Sequence, residues 1–127
     1  TAAPIESAAS ALANLSPGLM LPETMSEADL AALGAENTCQ FRLTEVAFPS
    51  FVYDNSGRGA IKINGKLIPV TASASGEYAN GELRIRTRIL DDEGDAGLQM
   101  QELIVAGPRM KDEFGFWGYT TCGNSEA

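Results

Sequence analysis

Two Asn-Gly dipeptides, Asn64-Gly65 and Asn80-Gly81, constrain the fold of this chain more than any other feature of its sequence. Asn-Gly favours the type I′ turn of a tight hairpin, because both central residues of that turn take a positive φ. Short runs of alternating apolar and polar residues flank each dipeptide. In residues 83–89, for example, Leu, Ile and Thr alternate with three arginines. This period of two predicts half-buried antiparallel strands on both sides of each turn.

The rest of the chain from residue 39 onward repeats this pattern of short strands and polar turns. Turn residues such as Asp54-Asn55-Ser56-Gly57 and the acidic segment 91–95 separate about eight runs that have strand character. Such spacing is typical of a small barrel or sandwich. The predicted fold class is therefore all-β, a small antiparallel barrel of about eight strands with a short α-helical extension at its N-terminus.

Residues 1–38 have a different composition, rich in alanine and leucine. Ser26 is a favourable N-cap, Asp29 follows it by three residues, and Gly34 is a typical C-terminal stop. These signals predict a short helix between Ser26 and Gly34. We expect this helix to pack at least partly on the barrel through Leu30 and Leu33. The predicted domains are thus a helical extension over residues 1–38 and a barrel over residues 39–127.

Charge restricts the kinds of partner that the chain can bind. Its 127 residues carry a formal net charge of −8, which disfavours nucleic acid and would steer the protein towards cationic partners. No apolar run approaches the roughly 18 residues of a membrane span. Membrane association is expected only through a lipid anchor outside this chain.

Two cysteines, Cys39 and Cys122, bracket the predicted strands with 82 residues between them. Their placement favours a disulfide that ties the first strand to the last, and the alternative is a pair of free thiols. Because disulfides persist in oxidising compartments, this prediction implies an exported protein of the periplasm or outer envelope.

The sequence offers little for catalysis or for metal binding. It contains no histidine, which excludes Ser-His-Asp and Cys-His arrangements. The acidic turn at residues 91–95 lacks the ligand spacing of a calcium loop. We therefore predict a protein that is not an enzyme and that holds no metal and no cofactor.

Two surfaces have both an ordinary and a functional interpretation. Arg84, Arg86 and Arg88 lie on one face of a predicted strand, either as solvated charges that discourage aggregation or as a contact surface for anions. In the last strand, alternation places Trp117 and Tyr119 on the opposite face from the phenylalanines. We expect the N-terminal extension to cover those two aromatic residues.

The segment Ser73-Ala74-Ser75-Gly76-Glu77-Tyr78 resembles the central motif of the membrane-bound and periplasmic inhibitors of C-type lysozyme. In that family a small-residue Ser-Gly loop is followed closely by Tyr. The preceding residues 64–70 and the two terminal cysteines are also similar to the family. One residue separates Ser-Gly from Tyr here, where the family has two, and the family's later Trp-x-Lys-Gly segment is absent.

The resemblance implies a small antiparallel barrel whose Ser-Gly loop enters the lysozyme cleft, often on a lipoprotein. Ser75 would correspond to the inhibitory serine. The family's second contact, a lysine, has no matching position here, and Arg86 or Arg88 could substitute for it. The residues predicted to bind the partner are Ser73, Ser75, Gly76, Tyr78, Arg86 and Arg88.

Two other functions remain open from the sequence. The barrel could carry a small hydrophobic ligand, or it could be a structural module of the envelope without a discrete ligand. Inhibition requires Ser75 to be exposed on a protruding loop, whereas carriage requires an empty apolar cavity.

Overall fold

Eight antiparallel strands close into a barrel in the computed structural model. The structure describes residues 1–16, 20–35, 38–93, 99–108 and 113–122, with the backbone alone for residues 91–93. The strands are β1 (Cys39–Arg42), β2 (Phe51–Tyr53), β3 (Arg58–Ile63), β4 (Lys66–Ala74), β5 (Glu77–Asn80), β6 (Leu83–Glu93), β7 (Gln99–Ala106) and β8 (Phe114–Cys122). Each strand pairs with the next along the chain, and β8 pairs with β1. The predicted all-β antiparallel barrel is confirmed.

Both predicted hairpins form, but their turns differ. Asn64 and Gly65 have φ values of 56° and 70°, as a type I′ turn requires. In the second hairpin Asn80 ends β5 and pairs with Leu83, so the central residues are Gly81 and Glu82. Of these two only Gly81 has a positive φ, 58°, which is the pattern of a type II′ turn. The prediction of a type I′ turn is wrong at this position.

Apolar side chains from the inner faces of the strands fill the barrel. Alternation on β6 follows the prediction, since Leu83 and Ile85 are buried whereas the three arginines between residues 84 and 88 are exposed. Burial of this kind is the main favourable term in folding. The buried interior cluster includes Phe41, Phe51, Ile61, Ile63, Ile68, Val70, Tyr78, Leu83, Ile85, Leu103 and Val105.

The short helix α1 (Ala8–Ala11) lies against one end of the barrel. Ala8, Ala11 and Leu12 belong to the same buried cluster as the interior residues of the strands. The asparagine side chains of both hairpin turns bind its backbone. Asn64 donates from Nδ2 to the Ala11 carbonyl at 3.0 Å, and Asn80 Oδ1 accepts from the Ala8 N–H at 3.3 Å. The hairpins therefore position the N-terminal segment as well as the strands.

Residues 4–6 occupy the side of β4 that β5 leaves unpaired. β5 pairs with β4 only from Thr71 onward. Leu67, earlier on β4, donates its N–H to the Pro4 carbonyl and accepts from the Glu6 N–H, at 2.8 and 3.0 Å. These bonds satisfy backbone groups that would otherwise be buried without partners. The N-terminal segment thus completes the wall of the barrel where β5 is too short.

The second helix, α2 (Glu27–Leu33), packs on the outside of β2, β3 and β4. Ser26 and Asp29 form a reciprocal capping box at its start, and Gly34 ends it with a left-handed φ of 64°. Leu30 and Leu33 pack against an outer cluster, as predicted. The buried members of that cluster are Met25, Ala35, Val52, Ala60 and Leu67.

Asp29 joins α2, β3 and the N-terminal segment in one buried contact. Its carboxylate accepts from Lys62 Nζ at 2.8 Å, from the Ala3 N–H at 2.7 Å and from the Ser26 N–H at 2.9 Å. Burial alone would raise the pKa of Asp29, but the hydrogen bonds from Lys62, Ala3 and Ser26 outweigh it and lower the pKa well below its usual range. Asp29 therefore stays charged in the folded protein.

The predicted disulfide between Cys39 and Cys122 is present. The two cysteines are directly opposite each other in the ladder between β1 and β8, the pairing that closes the barrel. The bond therefore fixes the seam between the first strand and the last.

Candidate functional site

The hairpin between β4 and β5 forms the most exposed part of the predicted site. Ser75 and Gly76 are its two-residue turn, and Gly76 has a φ of 73°, as the second central residue of a type II turn requires. The ladder shifts register between Ala72 and Ala74, which places Ser73 at the irregularity. Residues 72–75 and Glu77 are all exposed. We call residues 73–77 the hairpin tip.

Neighbouring strands hold the hairpin tip in place. The Gly76 carbonyl accepts from the Thr87 N–H at 2.8 Å and from Thr87 Oγ1 at 3.3 Å. Behind the tip, the Ala72 N–H donates to the Gly57 carbonyl at 2.7 Å. A protein surface fixed in this way loses little conformational entropy when a partner binds.

Tyr78 belongs to the core and not to the exposed tip. Its residue surface is 7% exposed, and its ring meets Phe51 edge-on at a centroid distance of 5.4 Å. Burial raises the pKa of Tyr78, and the nearby Tyr53 and Asp54 add to the shift. Strand alternation explains this position, because Tyr78 lies one residue beyond the outward-facing Glu77. Tyr78 therefore offers a partner little surface, and its predicted role in binding remains a prediction.

Arg86 and Arg88 point outward from β6, and each forms an ion pair. Arg86 Nη2 lies 2.6 Å from Glu113 Oε1, and Arg88 Nη2 lies 2.6 Å from Glu102 Oε1. Arg86 is also directly opposite Glu77 in the ladder. The structure therefore brings Arg86 beside the hairpin tip, with its charge paired with Glu113.

One surface depression lies between part of the hairpin tip and the outward-facing arginines of β6. It has a volume of about 400 Å³, and Ser73, Glu77, Arg84, Arg86 and Glu113 are among its lining residues. Of the predicted site residues, Ser73, Ser75, Gly76 and Arg86 thus lie on or next to one exposed region. The largely buried Tyr78 is also among the residues that line the depression.

Trp117 is a surface residue that the sequence analysis assigned to a covered face. It is 63% exposed, so the expected cover by the N-terminal extension is wrong. The extension instead packs against one end of the barrel and against β2, β3 and β4. Trp117 Nε1 donates to Glu102 Oε2 at 3.3 Å. Hydrogen bonds from Arg88, and to a smaller extent from Trp117, lower the pKa of Glu102.

Within the described parts of the chain, no three His, Cys, Asp or Glu side chains are grouped so that they could hold a metal ion. No helix among those same residues is long and apolar enough to cross a membrane. The side chains of the acidic segment 91–95 lie outside the described part of the structure, and the backbone of residues 91–93 belongs to β6.

Comparison with known proteins identifies a family. No curated protein and no solved structure matches this chain significantly. A family model does match, over residues 1–125, and these include both the N-terminal helices and the barrel. The chain belongs to the family described as a domain of unknown function, DUF6692.

Proposed function

We propose that this chain is a non-enzymatic, exported envelope protein that binds a protein partner through its hairpin tip, with C-type lysozyme as the candidate partner. The observation that carries the proposal is the run of exposed residues from 72 to 75, held in position by the bonds between Thr87 and Gly76. Residues 73–76 of the tip carry only small side chains, and such a narrow turn can enter a cleft that a flat surface cannot reach.

Ser75 is the residue of the tip best suited to make the central contact. It occupies the turn itself, and its hydroxyl is able both to donate and to accept a hydrogen bond. In the inhibitor family that this segment resembles, the corresponding serine enters the enzyme cleft. The net charge of −8 also favours encounter with a cationic protein such as a lysozyme.

The disulfide supports export as part of the proposal. A cross-strand bond between Cys39 and Cys122 persists where the surroundings are oxidising, as in the periplasm or outside the cell. The same compartments are those in which an envelope protein would meet a lysozyme.

The packing of the barrel supports surface binding over carriage of a hydrophobic ligand. Large side chains on the inner faces of the strands, such as Phe41, Phe51 and Leu103, have no exposed surface and pack in one cluster. A ligand inside the barrel would have to displace them, at a cost of several kcal/mol.

The experiment is a titration of lysozyme-driven lysis of bacterial cell walls with this protein. We expect stoichiometric inhibition by the native chain and inhibition about tenfold weaker with Ser75→Ala, because one hydrogen bond at an interface contributes roughly 1 kcal/mol or more. Thr71→Ala, an exposed change on β4 outside the tip, should leave inhibition unchanged.

Folding of every sample is checked by circular dichroism and by the absence of free thiol. A folded, disulfide-bonded protein that does not slow lysis would rule out lysozyme as the partner. Equal inhibition by the native chain and by Ser75→Ala would mean that Ser75 does not make the inhibitory contact, which would then lie outside the tip.

A further inference from the structure

Trp117 lies on an outer face of the barrel that takes no part in the proposed hairpin contact. It is 63% exposed, and its indole Nε1 donates to Glu102 Oε2 at 3.3 Å. Glu102 itself is largely shielded, with 16% of its side chain exposed. An aromatic ring held by one edge with the rest of its surface in solvent is a preformed stacking surface.

Three neighbouring strands build this arrangement in one row. In the ladders, Arg88 of β6 is opposite Glu102 of β7, and Glu102 is opposite Trp117 of β8. Arg88 donates from both Nε and Nη2 to Glu102 Oε1, at 3.0 and 2.6 Å. The carboxylate is therefore bound on one oxygen by the guanidinium and on the other by the indole. We call Trp117, Glu102 and Arg88 the tryptophan platform.

Gly115 of β8 leaves room for the Glu102 side chain of the tryptophan platform. A Cβ atom at this position would lie 2.8 Å from Glu102 Oε2, which is closer than real contacts allow. The glycine therefore permits Glu102 to extend across β8 to Trp117. Gly115 and Trp117 have the same orientation on β8, so the end of the Glu102 side chain lies over Gly115 beside the indole ring.

The charge of this face contrasts with that of the whole protein. Four arginines, Arg42, Arg84, Arg86 and Arg88, accompany three glutamates, Glu77, Glu102 and Glu113, among the described side chains on this side of the barrel. Their formal sum is +1 in a chain of −8. An anionic ligand would be attracted to this face and repelled by most of the remaining surface.

We propose that the tryptophan platform binds a carboxylate-bearing saccharide. A pyranose ring has an apolar C–H face that stacks on indole, and its rim of hydroxyl groups needs polar partners at the edge of the ring. Glu102 supplies acceptors there and Arg88 supplies donors. The planar guanidinium of Arg86 or Arg88 can bind a sugar carboxylate through two parallel hydrogen bonds. The inference goes beyond the proposed binding of a protein partner, since it concerns a different ligand.

The sequence provides a direct reporter for this site, because Trp117 is the single tryptophan of the chain. Intrinsic fluorescence is measured while oligogalacturonate, which carries a carboxylate on each sugar, is added to the folded protein. We expect a blue shift of the emission and protection from acrylamide quenching as the sugar covers the ring. Neutral dextran oligomers should give a much smaller shift, because they lack the carboxylates.

Matched variants distinguish binding at the tryptophan platform from binding that depends only on the positive charge of arginine side chains. Arg88→Gln keeps Trp117 as the fluorescent reporter and should weaken oligogalacturonate binding about tenfold. Arg58→Gln is the same change at an exposed arginine of β3, and it should alter binding less than about twofold. Trp117→Ala, measured by calorimetry, should remove detectable binding. Both platform variants are first shown to unfold at the same temperature as the native chain.

Three results would overturn the proposal. The first is an emission spectrum that oligogalacturonate does not change. The second is equal weakening by Arg88→Gln and Arg58→Gln, or full binding by Trp117→Ala, since charge alone would then account for the affinity. The third is a blue shift that depends on protein concentration without any sugar, which would mean that a second copy of the chain covers Trp117. None of these results bears on the lysis experiment, which depends on Ser75.

Discussion

Replacing Asp29 with alanine is expected to lower the free energy of unfolding by about 3–5 kcal/mol, because it leaves a buried charge without its partner. Lys62 would keep an ammonium group whose side chain is 18% exposed, and the Ala3 N–H would lose its acceptor. The capping box with Ser26 would also be lost. Urea denaturation followed by circular dichroism measures the change. Amide exchange should show that residues 3–6 lose protection first.

Glu27→Ala is the matched control, since Glu27 is an exposed acid in the first turn of the same helix. It should cost less than about 1 kcal/mol. In a cycle of Asp29→Asn and Lys62→Met, the double variant should lose less stability than the sum of the two single variants. Strict additivity would mean that Asp29 and Lys62 do not stabilise each other.

The lowered pKa of Asp29 gives the same contact a defined pH dependence. Its contribution is complete above about pH 4, the pKa of an aspartate in an unfolded chain. Below that pH the unfolded chain takes up the proton while the folded protein resists it, so the free energy of unfolding falls. With Asp29→Asn, the free energy of unfolding should fall less steeply below about pH 4, as measured by urea denaturation at a series of pH values.

Removal of the disulfide is the second large effect that we expect. Cys39→Ser combined with Cys122→Ser should lower the free energy of unfolding by about 2–5 kcal/mol, since the bond closes a long loop and the entropy of the unfolded chain rises when it is lost. The strands β1 and β8 should then separate more readily, because their seam loses its covalent link. Chemical denaturation of the double variant measures the loss.

Native protein treated with a thiol reductant is the control for side effects of the serines. It should match the double variant within about 1 kcal/mol. If reduced protein and double variant were as stable as the disulfide-bonded form, the bond would not stabilise the barrel.

Much of the fold can be predicted because the deciding signals are local. Two hairpins follow from Asn-Gly dipeptides, and the two faces of β6 follow from its alternation of arginines with apolar residues. The positions of Cys39 and Cys122 at the ends of the strand-rich region indicate their pairing. These features depend on neighbours in the sequence, so a single sequence is sufficient to find them.

Other features depend on contacts between distant residues and could not be predicted. The Asn80 side chain donates to the Pro69 carbonyl and accepts from Ala8, so its role is tertiary and the turn shifts to Gly81-Glu82. Lys62 had no special pattern in the sequence, yet it is the partner of Asp29. Such pairs become visible only when the N-terminal segment is placed on the barrel.

The candidate site was predicted in part. The exposed tip around Ser75 was located by a short motif, whereas Tyr78 was assigned to the same surface although its strand parity directs it inward. Alternation alone would have corrected Tyr78, since it follows the outward-facing Glu77. The exposure of Trp117 could not be inferred, because it depends on where the N-terminal segment packs.

We propose the hairpin tip as the surface that binds a protein partner. Hydrogen–deuterium exchange of this chain, with and without an equimolar C-type lysozyme, would locate the contact. We expect slower exchange at residues 73–77, with the N-terminal segment and the Trp117 face unchanged. Unchanged exchange at the tip, or protection confined to another face, would contradict the claim.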